Sequence, residues 1–135
     1  MSKVLNDLIE SLKCLPGVGP KSATRMAYYL LQRDPNGAKN LANSILNSFK
    51  LLGKCKSCNN FCEMTICDLC SDQSRDNSVL CIIEMPTDLL MFEQTHSYDG
   101  LYYILMGRLS PLDGIGPKEL DMNSLYERCK DENIQ

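Results

Sequence analysis

The sequence predicts an α+β chain of several modules: a small helical domain, a four-cysteine metal-binding segment and part of an α/β domain. Three observations predict it. Apolar residues recur at helical spacing over residues 1–53. Two Cys-x-x-Cys pairs follow within residues 54–75. Over residues 76–135, two apolar runs of strand length alternate with helical segments, which is typical of a parallel α/β sheet.

The helical domain should contain three helices. Apolar residues at helical spacing mark the first helix from Val4 to Leu12. Pro20 suits the first position of the second helix. The composition of Asp34–Gly37 predicts a turn, and a third apolar stripe runs from Ala38 to Leu52. Gly53 then closes the third helix and ends the domain.

The segment between the first two helices reads LPGVGPKSA over residues 15–23, which has the form of a helix-hairpin-helix. Gly17 and Gly19 allow a tight turn whose backbone N–H groups can approach a phosphate, beside the partly positive N-terminus of the second helix. Lys21 and Arg25 are four residues apart, so both project from one face of that helix. The segment therefore predicts a sequence-independent DNA contact; the alternative is a hairpin whose glycines only form the turn.

The charge is divided unevenly along the chain. Residues 1–56 hold nine Lys and Arg against three Asp and Glu, and residues 57–135 hold five against fourteen, so that the total is -3. A basic head on an acidic body is expected when one end meets a polyanion and the other meets proteins or solvent. Chance clustering of surface charge is the alternative.

The cysteine spacing predicts one structural zinc ion. Its four ligands are Cys55, Cys58, Cys67 and Cys70. Each two-residue gap lets both thiolates of a pair face one ion, and this segment has few apolar residues to fold around. Four sulfurs leave no position for an activated water, so the role is structural. Cys62 lies between the pairs and stays open as an alternative ligand.

The α/β part should contain strands at Val79–Ile83 and Leu101–Met106, a helix from Asp88 to Gln94 and a further helix over residues 121–130. Two strands make too small a sheet, so we expect the domain to be incomplete at Gln135. The loop over residues 109–117 exposes apolar side chains among Gly and Pro. It is either a partner-binding or hinge element or an ordinary connection.

Catalytic residues are not evident in the sequence. Glu84 ends the first strand, where open parallel sheets place functional groups, but a magnesium site wants further carboxylates beside it. His96 and Ser110 have no visible catalytic partner. The apolar runs are far shorter than a membrane span, and no signal pattern opens the chain. We therefore expect a cytoplasmic, non-enzymatic protein.

The order of these motifs resembles the bacterial RecR family along the whole chain. The motifs are CLPGVGPKSA, the two Cys-x-x-Cys pairs, a strand ending at Glu84, and LMGRLSPLDGIGPKEL. The resemblance implies a helix-hairpin-helix domain, a four-cysteine zinc finger and a partial Toprim domain. It implies DNA contacts at Lys21 and Arg25, supported by Gly17 and Gly19, and zinc at the four cysteines. Glu84 is carried over as the Toprim glutamate and, with Asp88, is assigned to an acidic partner surface.

The resemblance also implies a recombination mediator of DNA repair. Such proteins bind single- and double-stranded DNA and act with RecO, and in many bacteria with RecF, to help load RecA onto gapped single-stranded DNA. They form dimers and ring-like tetramers. We do not expect ring closure of a chain that ends inside the Toprim domain, whereas dimerisation through the N-terminal helical domain stays open. The first alternative is a Toprim-type, magnesium-dependent nucleic-acid enzyme. The second is a zinc adaptor that binds only proteins.

Overall fold

The computed structural model describes residues 2–108, 112, 114–116, 120–131 and 134. The chain forms two compact units, which divide between Lys50 and Leu51. The first unit is helical, and the second combines helices with two small sheets. This mixture confirms the predicted α+β class.

The first unit contains three α-helices and a π-helical turn. They are α1 (Lys3–Leu12), α2 (Pro20–Tyr28), the π-helical turn Tyr29–Arg33, and α3 (Pro35–Leu51). The side chain of Ser2 accepts the N–H of Leu5 and caps α1. Ile9 of α1 packs against Ala23 and Ala27 of α2, and all three are buried. The two alanines are fully buried, so no larger side chain separates α2 from the apolar face of α1.

The predicted turn at Asp34–Gly37 is wrong, because α3 already begins at Pro35. The side chain of Asp34 accepts the N–H of Gly37 at 2.9 Å, and the Asp34 carbonyl accepts the N–H of Ala38 at 3.0 Å. These residues therefore form a helix cap followed by proline at the first helical position. The same residue types favour turns and helix starts, and here the long apolar stripe of α3 decides between them.

The second unit begins with short elements around the cysteines. They are the antiparallel pair β1 (Gly53–Lys54) and β2 (Phe61–Cys62), followed by α4 (Asp68–Ser71). An α/β unit follows, made of β3 (Asp76–Ile83), α5 (Pro86–Thr95), β4 (Gly100–Ile104) and α6 (Met122–Asp131). In the described part of the chain, no helix is both long and apolar enough to span a membrane.

Strands β3 and β4 are parallel, with α5 connecting them as expected for a strand-helix-strand unit. Ile83 pairs with Ile104, and both join Leu89 and Tyr102 in the buried core. The predicted second strand continued to Met106, which is wrong, because Met106 has a positive φ of 63° that ends the extended backbone. The predicted loop at residues 109–117 lies outside the described residues at 109–111, 113 and 117.

A partly buried ion pair joins three segments of the α/β unit. The guanidinium of Arg75, just before β3, contacts both carboxylate oxygens of Glu93 on α5 at 2.6 and 3.3 Å. Its Nε donates to the carbonyl of Gly100 at the start of β4, at 2.8 Å. The hydroxyl of Tyr102 donates to the same Glu93 carboxylate at 2.7 Å. This network fixes α5 against β4.

Candidate nucleic-acid interface and metal centre

The hairpin between α1 and α2 is a tight, exposed turn. Gly17 has a φ of 78°, which side-chain-bearing residues rarely adopt, and Gly19 is the N-cap of α2. The N–H of Val18 donates to the carbonyl of Leu15, and that of Ala23 donates to Gly19. At both glycines, the position a Cβ would occupy has no other atom within 4 Å. A ligand can therefore approach the backbone of the turn directly.

Lys21 and Arg25 flank this turn on the first two turns of α2. Both side chains are exposed, and both line one open recess together with Pro20, Ser22 and Thr24. The recess thus combines two positive charges with the N-terminal end of a helix, which itself favours anions. The arrangement suits a phosphate diester, although the assignment of these residues to DNA stays a prediction.

The second unit brings four predicted ligands together. The Sγ atoms of Cys55, Cys58, Cys67 and Cys70 all lie within 4.8 Å of one another. Sulfurs bound to one tetrahedral zinc at about 2.3 Å would stand about 3.8 Å apart. The observed separation of Cys58 and Cys67 is 3.6 Å. Four soft sulfur donors in this geometry fit a single thiophilic metal ion.

Backbone N–H groups point at these sulfurs. The N–H groups of Cys58 and Cys67 approach the sulfur of Cys55 at 3.5 and 3.3 Å, and that of Asn60 approaches the sulfur of Cys58 at 3.4 Å. Such contacts favour thiolate over thiol because they place positive dipoles at the sulfur. The local backbone is therefore folded for a negatively charged, metal-binding cluster.

The thiols of the cluster differ in acidity. Hydrogen bonds from Cys70 and from the N–H of Asn60 lower the pKa of Cys58 to about 5, although burial opposes the shift. The hydrogen bond to Cys58 raises the pKa of Cys70, and burial adds to the effect. Burial raises the pKa of Cys67 to about 11. Cys58 therefore loses its proton more readily than Cys67 or Cys70, and a bound cation would replace the protons of these thiols.

The structure places Cys62 outside this group of four. Its thiol donates to the carbonyl of Met64 at 2.8 Å, on the segment that joins β2 to the second cysteine pair. The alternative in which Cys62 is one of the four ligands is therefore not supported by the geometry. The first pair of the four-cysteine group consists of Cys55 and Cys58, as the spacing predicts.

Of the two predicted acidic residues, Glu84 directly follows β3 and Asp88 lies in the first turn of α5. The Glu84 carboxylate accepts a hydrogen bond from the guanidinium of Arg108 at 3.3 Å, and the Glu84 carbonyl accepts the N–H of Gly107. The Asp88 carboxylate accepts the N–H of Met85 and caps the start of α5. Both side chains border an open groove with Ile82 and Phe92. Each carboxylate thus already has a partner within the chain.

Comparison with known families identifies both units. A family model described as RecR, helix-hairpin-helix matches residues 5–48. A model described as Toprim domain matches residues 78–134, in the order that the sequence motifs predicted. The helix-hairpin-helix domain belongs to the RecR family. The two matches confirm the predicted RecR helix-hairpin-helix and Toprim assignments, and they support a role in DNA repair and recombination.

Sequence reasoning missed two arginines of this chain. Arg108 pairs with Glu84 across 24 residues of sequence, and Arg128 reaches the cysteine segment from α6. A basic residue at either position is ordinary on a protein surface, so the local sequence carries no sign of these contacts. Only the close approach of β3, β4 and α6 reveals them.

Proposed function

We propose that this chain is a non-enzymatic recombination mediator that holds DNA through its helix-hairpin-helix. It acts with RecO, and with RecF where present, to help load RecA onto gapped single-stranded DNA in the cytoplasm. The observation that carries the proposal is the open Gly17–Gly19 turn beside exposed Lys21 and Arg25. The family match to repair and recombination supports it.

Contacts of this kind should recognise the DNA backbone and not its sequence. Backbone N–H groups and a helix N-terminus bind phosphate oxygens, which every nucleotide carries. Lys21 and Arg25 each add a positive charge at the same recess. Single- and double-stranded DNA should therefore both bind, with an affinity that falls steeply as salt increases.

We propose zinc as the metal of the four-cysteine site, with a structural role. Zinc favours four thiolates in a tetrahedron, and the four sulfurs, all within 4.8 Å of one another, lie close enough together to bind one such ion. When bound, zinc would supply the fixed centre around which Cys55 to Cys70 fold. The purified protein should contain about one zinc per chain.

A mediator role, in preference to the Toprim-enzyme alternative, is supported by the acidic residues after β3. Magnesium chemistry on phosphates needs carboxylates that converge on an ion. Glu84 is paired with Arg108, whose positive charge lies where it would oppose a divalent cation. Asp88 caps α5. We propose that both residues belong to a surface for protein partners.

Self-association is part of the proposal, because α3 exposes an apolar face. Its large exposed side chains are Leu41, Ile45, Leu46, Phe49 and Leu51. Phe49 is 85% exposed. Contiguous apolar surface of this kind usually marks a protein interface. We propose that copies of the chain pair through the helical unit, as the first step toward the dimers and rings implied by the family.

DNA binding is tested by a double substitution of Lys21→Ala and Arg25→Ala. The matched control is Lys3→Ala with Lys39→Ala, which removes two exposed charges at other positions of the same unit. Loss of two phosphate contacts should lower the slope of log affinity against log salt by roughly 1.8 for duplex and roughly 1.4 for single-stranded DNA, per bound chain. The Lys3→Ala, Lys39→Ala control should retain most of the wild-type slope of log affinity against log salt.

The outcome distinguishes the hypotheses. Equal slopes for the hairpin variant and the wild type would exclude the hairpin as the DNA contact, and absence of DNA binding at low salt would favour the adaptor that binds only proteins. Magnesium-dependent cleavage or synthesis on DNA would favour the enzyme alternative. The loading role is tested by RecA assembly on single-stranded DNA covered by its binding protein, with RecO present, where the hairpin variant should be slower than the control.

A further inference from the structure

The outer edge of β4 is covered by the cysteine segment. The N–H of Ile104 donates to the carbonyl of Cys58 at 2.8 Å. The side-chain amide of Asn59 donates to the carbonyl of Ile104 at 2.9 Å. Both backbone groups of Ile104 that face away from β3 are thus bonded, as they would be by a neighbouring strand. The first cysteine pair takes the place of that strand.

Arg128 of α6 joins the same two segments. Its guanidinium donates to the carbonyl of Ser57 and to the carbonyl of Tyr102. The residue is 8% exposed although it carries a full charge, and it lies 71 residues beyond Ser57 in sequence. A planar guanidinium can bond two carbonyls at once, which a lysine cannot match in geometry. Arg128 therefore locks α6, β4 and the cysteine segment together.

The geometry of this covering segment depends on the metal cluster. Cys58 offers its sulfur to the cluster and its carbonyl to β4. Asn59 has a φ of 70°, so the chain reverses there and turns its amide toward Ile104. Asn60 follows with an N–H directed at the sulfur of Cys58. A shift of Cys58 away from the cluster would therefore displace the groups that bond β4.

We infer that metal occupancy of the four-cysteine site controls whether the outer edge of β4 is covered, with Asn59 and Arg128 as the residues that transmit the state. The inference rests on the proposed metal binding. Loss of the metal releases Ser57–Asn59 from the sheet, exposes the edge of β4 and loosens α6. An uncovered strand edge is a template for pairing with another chain, so the metal also guards against self-aggregation.

Such coupling is reciprocal. If the metal stabilises the covered edge, then contacts at the edge must stabilise metal binding by the same factor. Removing the Arg128 or Asn59 contact should lower zinc affinity, although neither side chain is a metal ligand. Weaker zinc binding in these variants would show that the cysteine segment and the sheet are coupled. Unchanged zinc binding would mean that the segment only lies next to the sheet.

The experiment uses the 135-residue chain. Zinc content and affinity are measured first, by competition with a chromophoric chelator. Amide exchange is then compared between the zinc-loaded protein and the protein after chelation. We expect chelation to speed exchange at the Ile104 amide and in α6 by at least tenfold, in addition to exchange in the cysteine segment.

Two variants test the transmission. Arg128→Gln removes the charged bridge, and Asn59→Gly removes the amide while keeping the left-handed backbone. Lys130→Gln is the control, because Lys130 is exposed on the same helix. We expect about tenfold weaker zinc binding for each test variant, equivalent to about 1.4 kcal/mol. The control should stay within twofold.

The results separate the two proposals. A wild-type chain that binds no zinc would overturn the metal assignment and this inference with it. Zinc binding followed by exchange changes confined to residues 55–70 would overturn the coupling alone, as would wild-type zinc affinity in the test variants. If Arg128→Gln does not fold, Asn59→Gly gives the same decision.

Discussion

Replacing Arg75 by Met should destabilise the α/β unit by about 3 kcal/mol. The change removes two contacts to Glu93 and one each to the carbonyls of Gly100 and Tyr98, and it leaves a Glu93 carboxylate whose side chain is 26% exposed. Breaking a buried ion pair costs about 3–5 kcal/mol. Glu93 remains partly exposed to solvent and keeps the hydrogen bond from the hydroxyl of Tyr102, so we expect the lower end of that range. Native-state amide exchange of β4 measures the loss.

A double-mutant cycle tests the reason for the loss. Glu93→Gln in the Arg75→Met background removes the unpaired charge, so the double variant should be less destabilised than the two single changes predict. Additive effects within about 0.5 kcal/mol would mean that the pair is not coupled. That result would refute the network as the cause.

The same carboxylate gives the unit a pH dependence. Burial raises the pKa of Glu93, but hydrogen bonds from Tyr102 and Arg75 and the charge of Arg75 together lower it below its ordinary value. A lowered folded-state pKa contributes stability that is present above the ordinary glutamate pKa and is lost as pH falls through the folded value. Protection of β4 should therefore fall on acidification below about pH 4.3 more steeply in the wild type than in Glu93→Gln. Parallel curves would contradict this.

Three further predictions concern the helical unit, each measured by thermal unfolding followed by circular dichroism. Gly17→Ala should cost about 1–2 kcal/mol, because alanine is strained at a φ of 78°, whereas Gly19→Ala, at a φ of -95°, should cost less. Ala27→Leu should cost about 1–3 kcal/mol by overfilling the contact of α1 and α2, with the exposed Tyr28→Leu as a nearly neutral control. Asp34→Ala should cost about 1 kcal/mol by removing the cap of α3, and Asp34→Asn should restore most of it. Equal melting temperatures within any matched pair would contradict that prediction.

Features governed by local spacing could be predicted from the sequence. Pro20 begins α2 as expected, and the two cysteines of each pair lie together because only two residues separate them. Boundaries were harder, since Asp34 and Pro35 suit a turn and a helix start equally well until the helix that follows is known. The end of β4 was set by the backbone of Met106, which residue type alone does not specify.

Contacts between distant segments could not be predicted. Arg128 carries no motif, and its partners Ser57 and Tyr102 contribute only backbone carbonyls, which every residue has. Glu84 was recognised from its position after a strand, but its pairing with Arg108 depends on how the chain returns after β4. A sequence pattern identifies ligands and turns. The hydrogen-bond partners of buried backbone N–H and carbonyl groups, by contrast, depend on which segments the fold brings together.

The four-cysteine segment and strand β4 each meet a structural requirement of the other. A segment as short as residues 55–70 cannot build an apolar core, so it needs a metal. A strand such as β4 cannot leave the N–H and carbonyl of Ile104 unbonded where its neighbours are buried. Placing the first cysteine pair on that edge meets both requirements, because a metal bound by the cysteines would fix the backbone that bonds the strand. The four-cysteine segment is in this sense a structural part of the Toprim sheet, and loss of a bound metal should be detected first at β4 and not at the hairpin between α1 and α2.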